Sequence, residues 1–372
     1  MNRWSIIIVC CLCLALLACA GEKRQAGRTN WPCFKGNNLR TGLSPDPGPG
    51  NKPQLEWYFG YDERFKSSIA VYDSTLYCGV DSGLIALAMT SRKLLWTFKT
   101  EGQVYSTPAV DDAVVYFGSW DKKFYAVDRA TGAENWSYGD IGAFSSSPLI
   151  EGDLVYAGNY SGKVYAFNKN DGTVAWQYQT GHWVPGSPAV ADDKLVIGSS
   201  DSWLYCLNKT SGELLWKFKT DKDIVATPSI DRHGGLVYIG SHDGNIYCLN
   251  MENGDEVWQF ATEDLVAGSP AIDSAHVYCG SLDTYMYCLD LKSGTEIWRF
   301  KTDGEIYGSP ALAGPFIYFT SHDGSLYCLD IEKGAQEFDL PMHDASNGSP
   351  AISGRTLFIG DLSGTIYAVG GR

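Results

Sequence analysis

The sequence predicts an all-β protein built from eight repeats of about 40 residues, because two independent markers recur in phase. A Ser/Thr-Pro pair recurs seven times, and Ser68-Ile69 occupies the corresponding position one period earlier. Tryptophan recurs at intervals of 39 to 42 residues, with Phe338 in the last position: Trp57, Trp96, Trp136, Trp176, Trp216, Trp258 and Trp298. Apolar residues alternate within each repeat, as strands require.

Each repeat contains four short strands and no helical stretch. In residues 268–300, for example, four apolar-alternating segments are separated by polar turns that contain Asp, Ser or Gly. Four antiparallel strands per repeat form one blade of a β-propeller, and both faces of a blade pack on neighbouring blades. This packing explains runs such as Val277-Tyr278-Cys279, which are apolar at consecutive positions.

The two ends of the repeat array complement each other. A Trp-containing strand, residues 55–59, precedes the first complete repeat, whereas the last repeat, 348–369, stops after three strands. We therefore predict that the N-terminal strand completes the last blade and closes an eight-bladed ring, which removes exposed sheet edges. The predicted propeller spans residues 54–370.

The N-terminus has the pattern of a targeting segment. A short apolar run follows Arg3 and ends at Leu16-Leu17-Ala18-Cys19, before a polar, charged stretch. This ending resembles the bacterial lipobox, which implies a signal peptide over 1–18 and lipidation of Cys19. An ordinary signal peptide with an incidental Cys is the alternative. Residues 19–53 are then expected to form a tether and an entry segment to the propeller. Residue 20 is Ala rather than Asp, which in enterobacteria implies transfer of a lipoprotein to the outer membrane.

Composition narrows the classes of partner. The formal net charge is −14 and no long basic run occurs, which disfavours nucleic acid because no excess of Lys and Arg is present to bind phosphates. The sequence after Cys19 contains seven further cysteines and no CxxC pair, so it gives no support to a zinc ribbon or a thioredoxin-type site.

Residues 126–136, AVDRATGAENW, resemble the AxDxxTGxxxW motif of pyrroloquinoline-quinone-type propeller repeats. Residues 206–216 and 288–298 match more loosely, and residues 31–42 are similar to the start of many such proteins. The resemblance implies that Gly permits the turn before the fourth strand and that each Trp docks between blades. This chain departs from the motif at Arg92, where Gly is expected, and at Phe338, where Trp is expected.

The family resemblance leaves the function open. The family includes quinoprotein dehydrogenases and also non-enzymatic lipoproteins, among them a subunit of the outer-membrane β-barrel assembly machinery. The only adjacent cysteines here, Cys10-Cys11, lie in the predicted signal peptide; no CxxCH motif occurs, and the repeats carry no insertions. We therefore expect no enzyme activity, no metal and no cofactor, with pyrroloquinoline quinone as the alternative.

The sequence SHDGNIYCLN at 241–250 places His, Asp and Cys close together, and 321–330 nearly repeats it. Asp243-Gly244 is predicted to form a two-residue hairpin turn. Cys248 occupies a third-strand position that other repeats fill with Ala, so it is interpreted as a small core residue. Such a two-residue turn after Leu282 would place Cys279 opposite Cys288, where a disulfide is permitted in an oxidising compartment; two reduced core thiols are the expected alternative.

One end of the ring is predicted to gather aromatic and histidine side chains around the channel. The turns between second and third strands lie on the same face as the connections between blades. These segments and the strand starts beside them supply the candidate binding rim: Tyr105, Trp120, Phe144, Tyr160, Trp183, Trp203, His242, Tyr307 and His322. The functional interpretation is a recognition face; the alternative is that these side chains fill the channel.

We therefore predict a non-catalytic envelope lipoprotein, anchored to the outer membrane and facing the periplasm. Its propeller is expected to dock a protein partner in outer-membrane protein assembly. A quinone-dependent dehydrogenase, or carbohydrate binding at the channel mouth, is the alternative. A funnel of convergent polar groups would favour a small ligand, and a channel filled by side chains would favour docking.

Overall fold

The computed structural model describes residues 29–140 and 142–371, and no helix occurs among them. Eight antiparallel sheets of four strands form the eight predicted blades, and one blade carries a fifth, parallel strand at its inner edge. The described part of the chain contains no helix with the length and apolar character that a membrane crossing requires.

Within each blade, four strands run in order from the channel to the circumference. The first half of the chain contains a short strand, the closing strand and blades 1 to 4: β1 Leu43–Ser44, β2 Gln54–Gly60, β3 Ala70–Tyr72, β4 Thr75–Val80, β5 Gly83–Ala88, β6 Leu94–Lys99, β7 Ala109–Val110, β8 Val114–Gly118, β9 Lys123–Asp128, β10 Glu134–Gly139, β11 Leu149–Glu151, β12 Leu154–Gly158, β13 Lys163–Asn168, β14 Val174–Gln179, β15 Ala189–Ala191, β16 Lys194–Gly198, β17 Trp203–Asn208 and β18 Leu214–Lys219.

The second half forms blades 5 to 8, and the last blade supplies only three strands of its own: β19 Ser229–Asp231, β20 Leu236–Gly240, β21 Asn245–Asn250, β22 Glu256–Ala261, β23 Ala271–Ile272, β24 His276–Gly280, β25 Tyr285–Asp290, β26 Glu296–Lys301, β27 Ala311–Ala313, β28 Phe316–Ser321, β29 Ser325–Asp330, β30 Gln336–Pro341, β31 Ala351–Ser353, β32 Thr356–Gly360 and β33 Thr365–Gly370.

The ring closes as the sequence predicts. Strand β2 pairs antiparallel with β33, with Trp57 opposite Ala368, and so supplies the outermost strand of blade 8. Blades 8 and 1 then share one apolar cluster that contains residues from both chain ends, including Val71 and Val369. Because the first and last elements must meet, closure ties the whole repeat array into one domain.

A Trp–Gly contact joins successive blades. The indole nitrogen of Trp258 in blade 5 donates a hydrogen bond to the carbonyl of Leu291 in blade 6, at 3.2 Å. In the same turn of blade 6, Gly294 has φ +69°, and a Cβ at Gly294 would lie 2.5 Å from the Trp258 ring. The same donation to the next blade is made by five other tryptophans: Trp96, Trp136, Trp176, Trp216 and Trp298. The structure therefore gives this motif a blade-docking role.

The departure from the motif in blade 1 has a local solution. Arg92 occupies the Gly position with φ 57°, a left-handed conformation that costs a non-glycine residue about 1–2 kcal/mol. Its guanidinium lies 5.9 Å from the centre of the Trp57 ring, so a cation–π contact replaces the Trp–Gly packing at the closing seam.

The hairpin loops are one residue longer than the predicted two-residue turns. Ser241 pairs with Asn245 and Ser281 with Tyr285, so each loop has three residues, and the last of them, Gly244 or Thr284, takes positive φ. The shifted register places Cys279 opposite Tyr287 and not opposite Cys288. Since neighbouring positions point to opposite faces of a sheet, Cys279 and Cys288 pack into different clusters, and both are free thiols.

The core interpretation of the other cysteines is confirmed. Cys206, Cys248, Cys288 and Cys328 are each opposite the docking Trp or Phe of their own blade, and all four are fully buried. Burial raises the pKa of the Cys206 and Cys248 thiols to about 12. These side chains fill space between blades and are poor nucleophiles.

Residues 29–50, here called the plug, circle one end of the channel instead of leading directly into the propeller. Backbone bonds of 2.8–2.9 Å tie the plug to successive innermost strands, for example Pro32 to Val110 and Thr41 to Ile272. Strand β1 adds to β27 of blade 7, and Asp46 accepts a hydrogen bond from Gly354 of blade 8. Of the predicted tether, only residues 19–28, which include Cys19, lie outside the described residues. The predicted signal peptide also lies outside them.

Arg40 anchors the plug beneath the channel. Its fully buried guanidinium donates hydrogen bonds to the carbonyl oxygens of Phe34, Ser147, Pro148 and Pro188. Burial lowers the pKa of Arg40 below its usual value. One cation therefore binds the plug to carbonyls from two adjacent blades.

Gly294→Ala is expected to destabilise the fold more than Gly152→Ala. Both glycines have positive φ, but a Cβ at Gly152 meets no atom within 4 Å. The left-handed conformation alone costs about 1 kcal/mol, and the clash with Trp258 adds about 1–3 kcal/mol. Equilibrium urea unfolding measures both losses; equal losses would contradict the Trp–Gly contact.

Alkylation of the native protein without reductant is expected to leave all seven described cysteines unlabelled, because they are buried and protonated near neutral pH. After denaturation, still without reductant, mass spectrometry should find all seven labelled. A Cys279–Cys288 pair that is labelled only after reduction would show that the register above is incorrect.

Arg40→Ala is expected to lower the free energy of unfolding by about 3 kcal/mol or more, because four buried carbonyls lose their donor. Limited proteolysis within 29–50 should also become faster. Arg232→Ala is the matched control, since Arg232 forms an exposed ion pair with Asp192 and its loss should cost about 1 kcal/mol or less. Equal effects of the two substitutions would refute the anchoring role.

Candidate functional site

The two ends of the ring differ in construction. The plug covers the end that carries the turns between first and second strands. The opposite end, here called the rim face, carries the turns between second and third strands and the connections between blades. Trp120 and Tyr160 lie in such turns, and Tyr105 lies in a connection, so the rim face is where most predicted binding residues lie.

A circle of eight hydroxyl side chains, here called the hydroxyl belt, lines the channel just below the rim face. Its members are the Ser/Thr residues that precede the repeated proline, together with Ser68: Ser68, Thr107, Ser147, Ser187, Thr227, Ser269, Ser309 and Ser349. Seven backbone N–H groups of the belt donate to the hydroxyl of the next blade at 2.8–3.0 Å. The Ser/Thr-Pro marker therefore joins all eight blades around the channel.

The belt encloses a polar cavity of about 190 Å³. Phe34 of the plug forms part of its lining, as do Lys66, Tyr105 and Tyr307, which belong to connections between blades. The lining contains no carboxylate. The channel is thus neither a through-pore nor filled by the rim aromatics.

Four aromatic side chains of the rim face form a continuous series, here called the aromatic arc. Ring centres are 5.1 Å apart for Tyr105–Trp120, 5.6 Å for Trp120–Tyr160 and 5.0 Å for Tyr160–Trp183. Trp120 remains 45% exposed and Trp183 49% exposed. The structure therefore gathers four of the nine predicted rim residues into one surface that crosses several blades.

Two predicted rim residues lie elsewhere. Phe144 is fully buried against Phe124 and Tyr165, so its assignment to the rim is wrong. The error is one of register: Phe144 stands four positions before its proline, in the core position of Val104, whereas Tyr105 stands three before. Trp203 lies half-buried on the flank of blade 4, with the Lys217 amine 4.0 Å from its ring centre.

The remaining predicted rim residues lie on the other half of the rim face. His322 packs on Tyr307 with ring centres 4.4 Å apart, and its Nε2 meets Asn347. His242 borders a separate recess of about 180 Å³ together with Lys222 and Asp264. Partial burial lowers the pKa of His242 below its usual value.

The carboxylates of the repeated His-Asp motif are engaged in structure. Asp243 accepts hydrogen bonds from the Tyr247 hydroxyl at 2.8 Å and from the Asp221 backbone at 3.0 Å. Asp323 makes the equivalent bonds with Tyr327 and Asp303. These aspartates therefore tie each hairpin to the segment between blades that precedes it. The sequence pattern alone predicted only their part in turn formation.

The lining does not suit the quinone that the family resemblance implies. Cofactor pockets usually exceed about 300 Å³, which is larger than the belt cavity. Across residues 29–140 and 142–371, no group of three or more His, Cys, Asp or Glu side chains could hold a metal ion beside such a cofactor. The residues present do not fit this group.

Solved structures with the same architecture span different activities. BamB from Moraxella catarrhalis superimposes with a TM-score of 0.74 at 20% identity, covering 86% of this chain and 100% of that one. A europium-containing methanol dehydrogenase gives 0.77 at 12% identity, covering 92% and 98%. The quinohemoprotein alcohol dehydrogenase of Comamonas testosteroni gives 0.78 at 12%, covering 92% and 81%. At these identities the likeness shows the fold alone.

No curated protein matches the sequence significantly. Two family models do match. Residues 242–372 match the model described as outer membrane protein assembly factor BamB, which confirms the resemblance found in the repeats. Residues 50–270 match the model described as the β-propeller of the β-alanine-activating enzyme. Because this second model covers more than half of the sequence, the chain belongs to that family of β-propellers, and its C-terminal part carries BamB-type repeats.

Proposed function

We propose that this chain is a non-catalytic envelope lipoprotein whose propeller docks a protein partner through the aromatic arc. The mutually contacting rings of Tyr105, Trp120, Tyr160 and Trp183, all exposed except the half-buried Tyr160, are the observation that supports this function best. Monomeric soluble proteins seldom expose a contiguous apolar surface of this kind, and such surfaces commonly mark interaction sites.

The rings of the aromatic arc suit protein recognition. Tyr and Trp provide large contact areas with few rotatable bonds, and such residues dominate the binding energy of protein interfaces. Each ring is supported by the next, and Lys66 lies 5.5 Å from the Tyr105 ring centre, which restrains the first member of the series. A preorganised surface loses little conformational entropy when a partner binds.

The position of the N-terminal segment supports an orientation. Thr29, the first described residue, donates to Asp46 of the plug, and its carbonyl accepts a hydrogen bond from Ser353 at the end of β31. Thr29 therefore lies at the end opposite the rim face. If Cys19 carries the lipid, the aromatic arc faces away from the membrane surface and into the periplasm.

A component of the outer-membrane β-barrel assembly machinery is the partner that we propose. The match of residues 242–372 to the BamB model and the fold shared with BamB of Moraxella catarrhalis support this choice. Location at the outer membrane, facing the periplasm, belongs to the same proposal. A quinone-dependent dehydrogenase has less support, because the belt cavity does not suit the cofactor.

Affinity isolation from crosslinked envelopes tests the docking function. The double variant Trp120→Ala and Trp183→Ala should recover at least tenfold less of a β-barrel assembly component than the unchanged protein, since such residues each contribute about 2 kcal/mol or more at interfaces. The control is Leu95→Ala with Leu215→Ala, two exposed apolar residues on the outer strands of blades 1 and 4.

Equal recovery with both double variants would contradict docking at the aromatic arc. The proposed lack of catalysis has its own test. Stoichiometric quinone binding together with dye reduction by an alcohol or a sugar would overturn it.

A further inference from the structure

The hydroxyl belt has hydrogen-bond donors that no protein group uses. A hydroxyl has one proton to donate and two lone pairs that accept. The belt oxygens of Ser147 and Ser187, like five others, already accept a backbone N–H. Within the part of the chain that the structure describes, none of the belt hydroxyls donates to a protein acceptor, so their protons are available to the cavity.

Ser145 provides a second observation of the same kind. Its Oγ has almost no accessible surface, even towards the cavity that Ser145 helps to line, and it has no hydrogen-bond partner. Buried hydroxyls of folded proteins nearly always have a partner. Rotation of the Ser145 side chain about χ1 is required before this hydroxyl can donate to an acceptor bound in the cavity.

The one charged side chain among the residues that line the cavity is a cation. This cation is Lys66, with only 10% of its side chain exposed and an ion pair to Asp81 at 3.5 Å. Beneath the floor, Arg40 is fully buried and donates to the carbonyls of Ser147 and Pro148, residues at the base of the belt. Among the described residues no carboxylate pairs with Arg40, and a buried cation without a counter-ion is costly.

We infer that the belt cavity binds a small oxyanion, a phosphate or a compact carboxylate from solution. Converging hydroxyl protons, the Lys66 ammonium and the charge of Arg40 all favour negatively charged acceptor oxygens. A metal cation has no carboxylate ligand in this lining. The volume of about 190 Å³ suits a guest smaller than the usual cofactor or drug-sized ligand.

Tyr105 belongs to both the aromatic arc and the cavity lining, and Lys66 lies 5.5 Å from its ring centre. Ser145 is not a member of the arc, so Ser145→Ala tests this inference apart from the docking function. Ser145→Ala should leave the urea unfolding midpoint unchanged, because the hydroxyl makes no hydrogen bond in the protein.

Isothermal titration calorimetry of the full chain in detergent tests the inference. The probes are inorganic phosphate, malonate and glucose, at constant ionic strength with chloride as the reference anion. Phosphate or malonate should bind at one site, and Ser145→Ala and Lys66→Met should each weaken binding roughly tenfold, as expected for a hydrogen bond to a charged group. Lys222→Met is the control, because Lys222 lies on the rim face outside the belt cavity.

The relative affinities distinguish the two sources of oxyanion. Tighter binding of phosphate assigns the site to phosphate-type anions, and tighter binding of malonate assigns it to carboxylates; either result supports the inference. Absence of binding by both anions overturns it. So does glucose binding that equals theirs, or unchanged affinity in both the Ser145 and Lys66 variants.

Discussion

The hydrogen bonds of the hydroxyl belt are the constraint on which the rest of the molecule depends. Each bond joins the backbone of one blade to the hydroxyl of the next, so the belt fixes the distance of every innermost strand from the channel axis. That radius determines the size of the cavity and the path that the plug follows beneath it. The Trp–Gly contacts fix the spacing between neighbouring blades nearer the circumference, and the pairing of β2 with β33 closes the ring.

The plug changes how the channel can be interpreted. A bare propeller has an open axis, but here residues 29–50 cover one end and Arg40 binds them to carbonyls of two blades. The rim face then remains as the accessible end, with a polar cavity at its centre and the aromatic arc along one side. The two features differ in chemistry, since a small anion would suit the cavity and a protein surface would suit the arc.

The fold could be predicted from the sequence because each repeat specifies the same blade independently, and eight copies correct for local departures such as Arg92. The site was less predictable. Phe144 and Tyr105 differ by one position relative to proline, and that single step separates core from rim. The prediction that Cys279 lies opposite Cys288 was also wrong by one position, because a three-residue loop replaces a two-residue turn. The burial of the plug could not be predicted, since three of the four carbonyls that bind Arg40 lie more than 100 residues away in the sequence.

Site-specific photocrosslinking in living cells tests the central claim most directly. A benzophenone amino acid would replace Trp120 or Trp183 on the rim face, and Ser211 or Asn253 on exposed turns at the opposite end. The proposed docking function predicts adducts to one envelope protein from the rim positions and none from the other two. Adducts from Ser211 or Asn253, with none from Trp120 and Trp183, would contradict it.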